Sequence, residues 1–164
     1  MAKKRKDKAP LGLDFVACSN PKVRQAYEIE EKFEAGMVLT GSEVKSLREK
    51  RADLEGAYAA IDSNGELWLH KAYIGPYAFS GPYFGHEERR PRKLLMHRHE
   101  LKRLQGALTL KGLTLVPTQI YFKKGRAKVE LALARGKKKG DQREDLKRQV
   151  ELREAREAME RHRR

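Results

Sequence analysis

The sequence predicts a mainly β protein: a small antiparallel barrel with two to three flanking helices and a basic C-terminal tail. Three observations carry the expectation. Short alternating apolar runs recur between residues 27 and 134, glycine- and proline-rich turns separate them closely, and apolar residues thin out abruptly at Gly136.

Residues 1–19 read as a flexible lead-in whose start is basic, with Lys3, Lys4, Arg5, Lys6 and Lys8 against Asp7. Tyr27, Ile29, Phe33 and Ala35 then share one parity, and Glu28, Glu30 and Glu34 share the other. That alternation is a half-buried strand, broken only by Glu31. Ser42 is placed to cap a short helix in which Val44, Leu47 and Arg48 share a face. Tyr58–Ile61 and Leu67–Leu69 flank Asp62-Ser63-Asn64-Gly65, and Asn-Gly between apolar runs signals a hairpin. Residues 75–93 read as a long loop, broken by Gly75, Pro76, Gly81, Pro82, Gly85 and Pro91.

A helix is predicted over about 97–110, with Leu101, Leu104 and Leu108 facing the core and Lys111-Gly112 ending it. Residues 113–122 and 127–134 read as two strands joined at Lys124-Gly125, and Pro117 demands an edge or a bulge. Beyond Gly136 almost the only large apolar residues are Leu146, Val150, Leu152 and Met159. They are too few to repay the entropy of ordering a core. The tail is therefore expected to be disordered alone. Pairs such as Glu144–Arg148 and Glu157–Arg161 would support a helix once a partner orders it. The organisation predicted is a lead-in over 1–19, a barrel over 20–135 and a tail over 136–164. A sheet this short hides its edges best by closing, and an OB-like barrel is the common solution among RNA binders.

The 164-residue chain has a net charge of +14 and is 37% charged, against roughly 25% in ordinary globular chains. Basic residues exceed acidic ones in the lead-in, the tail and the middle alike, so the folded part itself should attract polyanions. Cys18 is the only cysteine, which fits a reducing cytosol and a cytoplasmic location. No apolar run follows the basic N-terminus, and none approaches the roughly 18 residues of a membrane span, so neither export nor a membrane partner is expected.

Catalytic signatures are absent from the sequence: it holds neither a phosphate-cradling loop ending in Lys-Ser/Thr nor a nucleophile elbow. His97 and His99 lie two apart near a helix start and have no third ligand in view, so no metal is expected. Cys18 lacks an evident basic partner. The expectation is a binding protein with no enzymatic activity and no cofactor. Tyr77, Phe79, Tyr83 and Phe84 can either stack on unpaired bases or pack their loop onto the barrel. Arg92 and Lys93, and Lys123 and Lys124 with Arg126 and Lys128, are the candidate phosphate contacts of the barrel. Lys137, Lys138 and Lys139 open the tail as a polyanion-binding run.

Three stretches carry a specific resemblance. Phe33-Glu34-Ala35-Gly36 with Gly41-x-Glu43-Val44-Lys45-Ser46-Leu47-Arg48 is one. Arg92-Lys93-Leu94-Leu95-Met96 with Glu100-Leu101-x-x-Leu104 is the second, and Gly136-Lys137-Lys138 with Asp141-x-Arg143 is the third. In order and spacing they resemble the signatures of the SsrA-binding protein family, also called small protein B, over about residues 20–148. The resemblance implies an OB-like barrel that binds the tRNA-like domain of transfer-messenger RNA. With that RNA it would act on stalled ribosomes in trans-translation, tagging the peptide and releasing the ribosome. Elongation factor Tu would be reached through the shared RNA, and the protein would be a monomer without catalysis or cofactor. By motif position Asn20, Glu34 and Leu95 correspond to residues the family needs for RNA binding. Lys22, Arg24 and Lys45 complete the expected RNA-binding set. Asp141 and Arg143 fall in the segment expected to enter the decoding centre and mRNA channel.

The chain departs from the family's frequent choices at Pro21, Gln25 and Gln142. A glutamate facing phosphates would be repelled, so Glu34 is expected to hold Lys, Arg or backbone donors in place, and Leu95 to pack beneath the RNA surface. The alternative function is that of a constitutive ribosomal or assembly protein holding ribosomal RNA.

Overall fold

The computed structural model describes residues 15–81, 85–137 and 139–163, with side chains in the last stretch from residue 143 onward. Its first elements are β1 (Phe15–Ser19), α1 (Val23–Ala26), β2 (Tyr27–Met37) and α2 (Gly41–Arg48). Five short strands follow: β3 (Ala52–Asp53), β4 (Tyr58–Ile61), β5 (Leu67–His70), β6 (Tyr73–Ile74) and β7 (Arg92–Leu95). Then come α3 (Arg98–Lys111), β8 (Thr114–Lys123), β9 (Arg126–Gly136) and α4 (Lys139–His162).

The strands β8, β4, β5, β7, β2 and β9 pair in that order, and β9 returns to β8, so the antiparallel sheet closes into a ring. Closure leaves these strands without the open edges that invite aggregation. β1 adds to β8 beside β4, and β3 pairs separately with β6. The mainly β barrel is as expected, but four helices accompany it among the described residues rather than two or three. Residues 15–19 correct the lead-in: they form β1, with Ala17 buried and Phe15 stacked on Phe122 at 4.9 Å between ring centres. The short apolar run Phe15-Val16-Ala17-Cys18 finds its partner only at the far end of the fold, so it gives no local signal.

Two bulges shape the barrel. In β2 the register slips between Ile29 and Glu31. The slip turns the strand over: Tyr27 and Ile29 join a small cluster with Val23, Val116, Ala132 and Ala134, while Phe33 and Ala35 enter the main core. The single parity of residues 27–35 thus serves two faces, because one extra residue inverts all side chains beyond it. In β8 the slip falls between Pro117 and Gln119, at the proline that called for it. Leu115 faces the core before the slip, Ile120 and Phe122 after it.

The hairpin at 62–66 differs from the two-residue form that Asn-Gly favours. Asp62 and Glu66 close a three-residue loop, and only Gly65 takes positive φ (77°). The Asp62 carboxylate accepts the backbone N–H groups of Asn64 and Glu66 and the Trp68 indole N–H at 2.9–3.0 Å, which fixes this loop form. Lys124 (φ 50°) and Gly125 (φ 73°) make the two-residue turn between β8 and β9, the left-handed pair such a hairpin requires. Thr40, not Ser42, caps α2: Glu43 reaches back to the Thr40 N–H in a capping box. Leu104 of α3 is fully buried, Leu101 and Leu108 pack beside it, and Gly112 ends the helix in the left-handed conformation. Arg92 and Lys93, predicted as the end of a loop, instead join Leu94 and Leu95 to give the barrel its β7.

Candidate nucleic-acid interface

Alternation on a closed barrel sends every second side chain outward. On β2, β9 and β8 this produces one polar strip, with Glu34 opposite Glu130, Tyr121 opposite Lys128 and Lys123 opposite Arg126. Two facing glutamates would destabilise the pair unless cations intervene. They do. The Lys32 Nζ lies 2.9 Å from Glu130 Oε1, while the Lys123 and Lys128 Nζ atoms lie 3.6 and 4.0 Å from the Glu34 carboxylate. The Tyr121 hydroxyl donates to Glu34 Oε2. Burial, then the hydrogen bond to Glu34 and its charge, hold the Tyr121 phenol above its ordinary range, so it stays a donor. For Glu130, burial opposes ionisation, but hydrogen bonds from Thr118, Lys32 and Gln119 outweigh it and its carboxyl titrates below the usual value. Glu34 therefore holds lysines in place, as expected, and its side chain is 39% exposed.

The strip opens at one end into a groove of about 690 Å³, lined by Gly36, Leu95, His97, Arg126 and Lys128 among others. Gly36 pairs with Leu95, and a Cβ at position 36 would stand 3.6 Å from the Leu95 Cβ and 3.9 Å from the Lys128 Nζ. Leu95 is corrected: it is 55% exposed at the groove rather than packed beneath the surface. β7 turns it outward because Arg92 and Leu94 take the inward positions.

At the strip's other end Asn20 and Arg24 border a depression shared with Lys32, Thr118 and Glu130. The Asn20 N–H donates to the Thr118 carbonyl at 2.7 Å, and its side-chain amide donates to Leu54 O at 3.2 Å, so Asn20 pins the α1 approach onto β8. Lys22 is exposed beside it and paired with Glu55 at 2.7 Å.

The remaining predicted contacts divide. Lys124 is exposed at the tip of the β8–β9 turn. Lys93 stands across from Trp68 and is paired with Glu66 at 2.8 Å, off the strip on the β5–β7 side. Lys45 is exposed on α2. Arg92 is withdrawn as a phosphate contact, because its side chain is wholly buried. It donates to Glu43 Oε1 at 3.1 Å and to the Ala72 and Glu88 carbonyls at 2.7 and 3.1 Å, while Arg90 grips both oxygens of the same carboxylate at 2.6 and 2.8 Å. Burial alone would raise the Glu43 carboxyl, but Arg90, the Thr40 N–H and the Arg92 charge bring it below the ordinary range. Burial lowers Arg92 from its usual value, against the pull of Glu43.

In the tail, Lys137 ties the root of α4 to α1: its N–H donates to Ala26 O at 2.9 Å, and its Nζ contacts Arg24 O and pairs with Asp145. Lys138, and the side chains of Lys139 and Asp141, lie outside the described residues, as do Tyr83 and Phe84. Arg143 is exposed on α4. His97 and His99 stack at 5.7 Å, and no group of His, Cys, Asp or Glu among the described residues is placed to hold a metal ion. Burial, aided by Asp53, pushes the Cys18 thiol up to about 11, which keeps it protonated near neutral pH. Among the described residues no helix is long and apolar enough to cross a membrane.

Sequence reasoning missed two residues that organise this surface. Tyr121 escaped because its outward position follows the β8 bulge. Glu43 was recoverable: Thr40-x-x-Glu43 is a capping-box pattern.

Known proteins share these features. Residues 17–161 match the family model described as SmpB protein. The SsrA-binding protein of Roseiflexus castenholzii is 51% identical over 150 residues, covering 92% of each chain. That of Desulforudis audaxviator is 54% identical over 142 residues, 86% of this chain and 92% of the relative. A solved structure described as "tmRNA-SmpB: a journey to the center of the bacterial ribosome" superposes with a TM-score of 0.62 at 52% identity, covering 74% of this chain and 84% of the other. With the closed barrel, the glutamate-held lysines and the signature stretches in their expected places, the chain belongs to the SmpB, or SsrA-binding protein, family.

Proposed function

We propose that the chain binds the tRNA-like domain of transfer-messenger RNA through the outer β2–β9–β8 strip and its groove, and delivers that RNA to stalled ribosomes for trans-translation. The observation that carries the proposal is the Glu34 hub, where one carboxylate holds Tyr121, Lys123 and Lys128 beside an open groove bordered by Leu95. A preset lattice of donors suits phosphates and riboses at fixed spacing, and structured RNA is recognised mostly by shape. The names of the relatives and the ribosomal setting of the solved neighbour support the same reading. The protein acts as a binding module in the cytoplasm, with elongation factor Tu brought in by the shared RNA, and it catalyses no reaction of its own.

The tail completes the task. As a helix, the 24 residues of α4 span about 36 Å at 1.5 Å per residue, enough to reach along a channel lined by ribosomal phosphates. Lys137 precedes the helix, Lys139, Asp141 and Arg143 fall in its first turns, and Lys138 belongs to the same basic run of the sequence. The tail is already the helix α4 here rather than disordered, but Leu146 is only partly covered beside Ala26 and Val150, Leu152 and Met159 are exposed, so little apolar packing holds the helix and it firms on docking. Sequencing the RNA that co-purifies with the tagged protein tests the function. One small RNA recovered in near-equal amount is expected. Ribosomal RNA recovered in constant proportion from all ribosome states would instead make the chain a resident ribosomal protein.

A further inference from the structure

The basic surface does not stop at the groove. Phe122 and Val44 both line it, and α2 carries the surface onward. The Arg48 guanidinium lies over the Phe122 ring at 4.8 Å, and one turn back Lys45 lies over the Tyr77 ring at 5.2 Å. Tyr77 meets Phe79 edge-on at 5.6 Å, and Phe79 is 82% exposed. Exposure of that degree is unusual for a phenylalanine that has a neighbouring ring to pack against. The loop is held at its base, where Arg51 reaches the Pro76 carbonyl and the Gly75 N–H donates to Arg51 O at 2.8 Å. Farther along, the His86 ring bridges Ser42 at 2.8 Å and the Ile74 carbonyl at 3.0 Å. Among the described residues Lys45 and Arg48 rest on rings rather than on carboxylates, so their charge is not spent there. The one acid on α2's inner side, Glu43, is already neutralised by Arg90 and Arg92.

We infer that Phe79, backed by Tyr77 and flanked by Lys45 and Arg48, is a stacking platform for an unpaired nucleobase whose adjoining phosphates meet the two cations. An exposed ring accepts any base face, and cations beside it capture the backbone on either side. This inference rests on the RNA-binding reading of the barrel and extends that surface across α2 to the loop. The base can belong to transfer-messenger RNA or to ribosomal RNA, which share this chemistry.

The test uses full-length Phe79→Ala and Phe79→Trp. Binding is measured separately to the tRNA-like domain of transfer-messenger RNA and to vacant ribosomes, beside the Lys123→Ala/Lys128→Ala variant. Because Phe79 is exposed, both variants should melt with the parent protein. Phe79→Ala should weaken one of the two interactions by roughly 5- to 150-fold, the range of one lost base stack. Phe79→Trp should retain binding and show its added fluorescence quenched by the RNA that it stacks on. Which arm responds names the source of the base. Unchanged affinity in both arms, with the Lys123/Lys128 variant impaired, removes the platform and leaves the barrel surface standing. If the lysine variant too is unimpaired, the assignment of RNA binding to this face of the barrel itself falls.

Discussion

Glu43→Gln is the most demanding test of how the barrel is assembled. The substitution keeps the size and one carbonyl acceptor but removes the charge. Arg92 is then left with its guanidinium fully buried, its remaining partners the neutral carbonyls of Ala72, Arg90, Glu87 and Glu88. An uncompensated buried charge costs about 3–5 kcal/mol. At about 4 °C per kcal/mol for a domain of this size, Tm should fall by about 12–20 °C. Urea unfolding at pH 7 measures the free energy directly. Adding Arg92→Met to Glu43→Gln should recover part of the loss, because no charge is then stranded, and the cycle isolates the coupling. The pH dependence follows from the sign. The Glu43 carboxyl is depressed in the fold, so its contribution is complete above the unfolded value, about 4.3, and disappears as pH falls through the lower folded value. Glu43→Gln should therefore flatten the acid limb of the stability curve. A loss below about 1 kcal/mol, with the acid limb unchanged, would mean that Arg92 sheds its charge or finds water, and the buried-pair account would be wrong.

Two further outcomes separate barrel from tail. Lys123→Ala with Lys128→Ala should weaken binding of the tRNA-like domain and reduce the salt slope by about one per lost phosphate contact; an unchanged slope would put the RNA on another face. Ending the chain after Lys137, which leaves β9 whole, should preserve folding and RNA affinity yet abolish peptide tagging on ribosomes stalled on a message without a stop codon. Normal tagging by the shortened protein, or equal loss of both activities, would refute the division of labour.

The barrel was legible where local chemistry and tertiary need coincide. Pro117 called for a bulge and received one, and Lys124-Gly125 and Gly112 supplied the positive φ their turns require. Legibility failed where a distant partner decides. One slip at Ile29–Glu31 splits a clean alternation between two clusters, a change invisible in the strand alone. Phe15–Ser19 becomes a strand because it covers the stretch of β8 that β4 leaves unpaired, a hundred residues away in the chain. In the candidate site, motif position singled out Glu34 and electrostatics foresaw that it would hold cations, whereas Arg92 and Lys93 look identical as sequence. Alternation sends the first inward to Glu43 and leaves the second half-exposed against Glu66.

The Lys137 tie makes α1 a fulcrum. One side of that short helix borders the depression shared by Asn20 and Arg24, and the other receives the root of α4. A lever about 36 Å long magnifies whatever happens at its pivot: a tilt of only about 10° there swings the far end by about 6 Å, more than one helical pitch. Small adjustments in how α1 sits on the barrel, of the size that an RNA settling against Asn20 and Arg24 would impose, thereby become changes of aim at the tip of the tail.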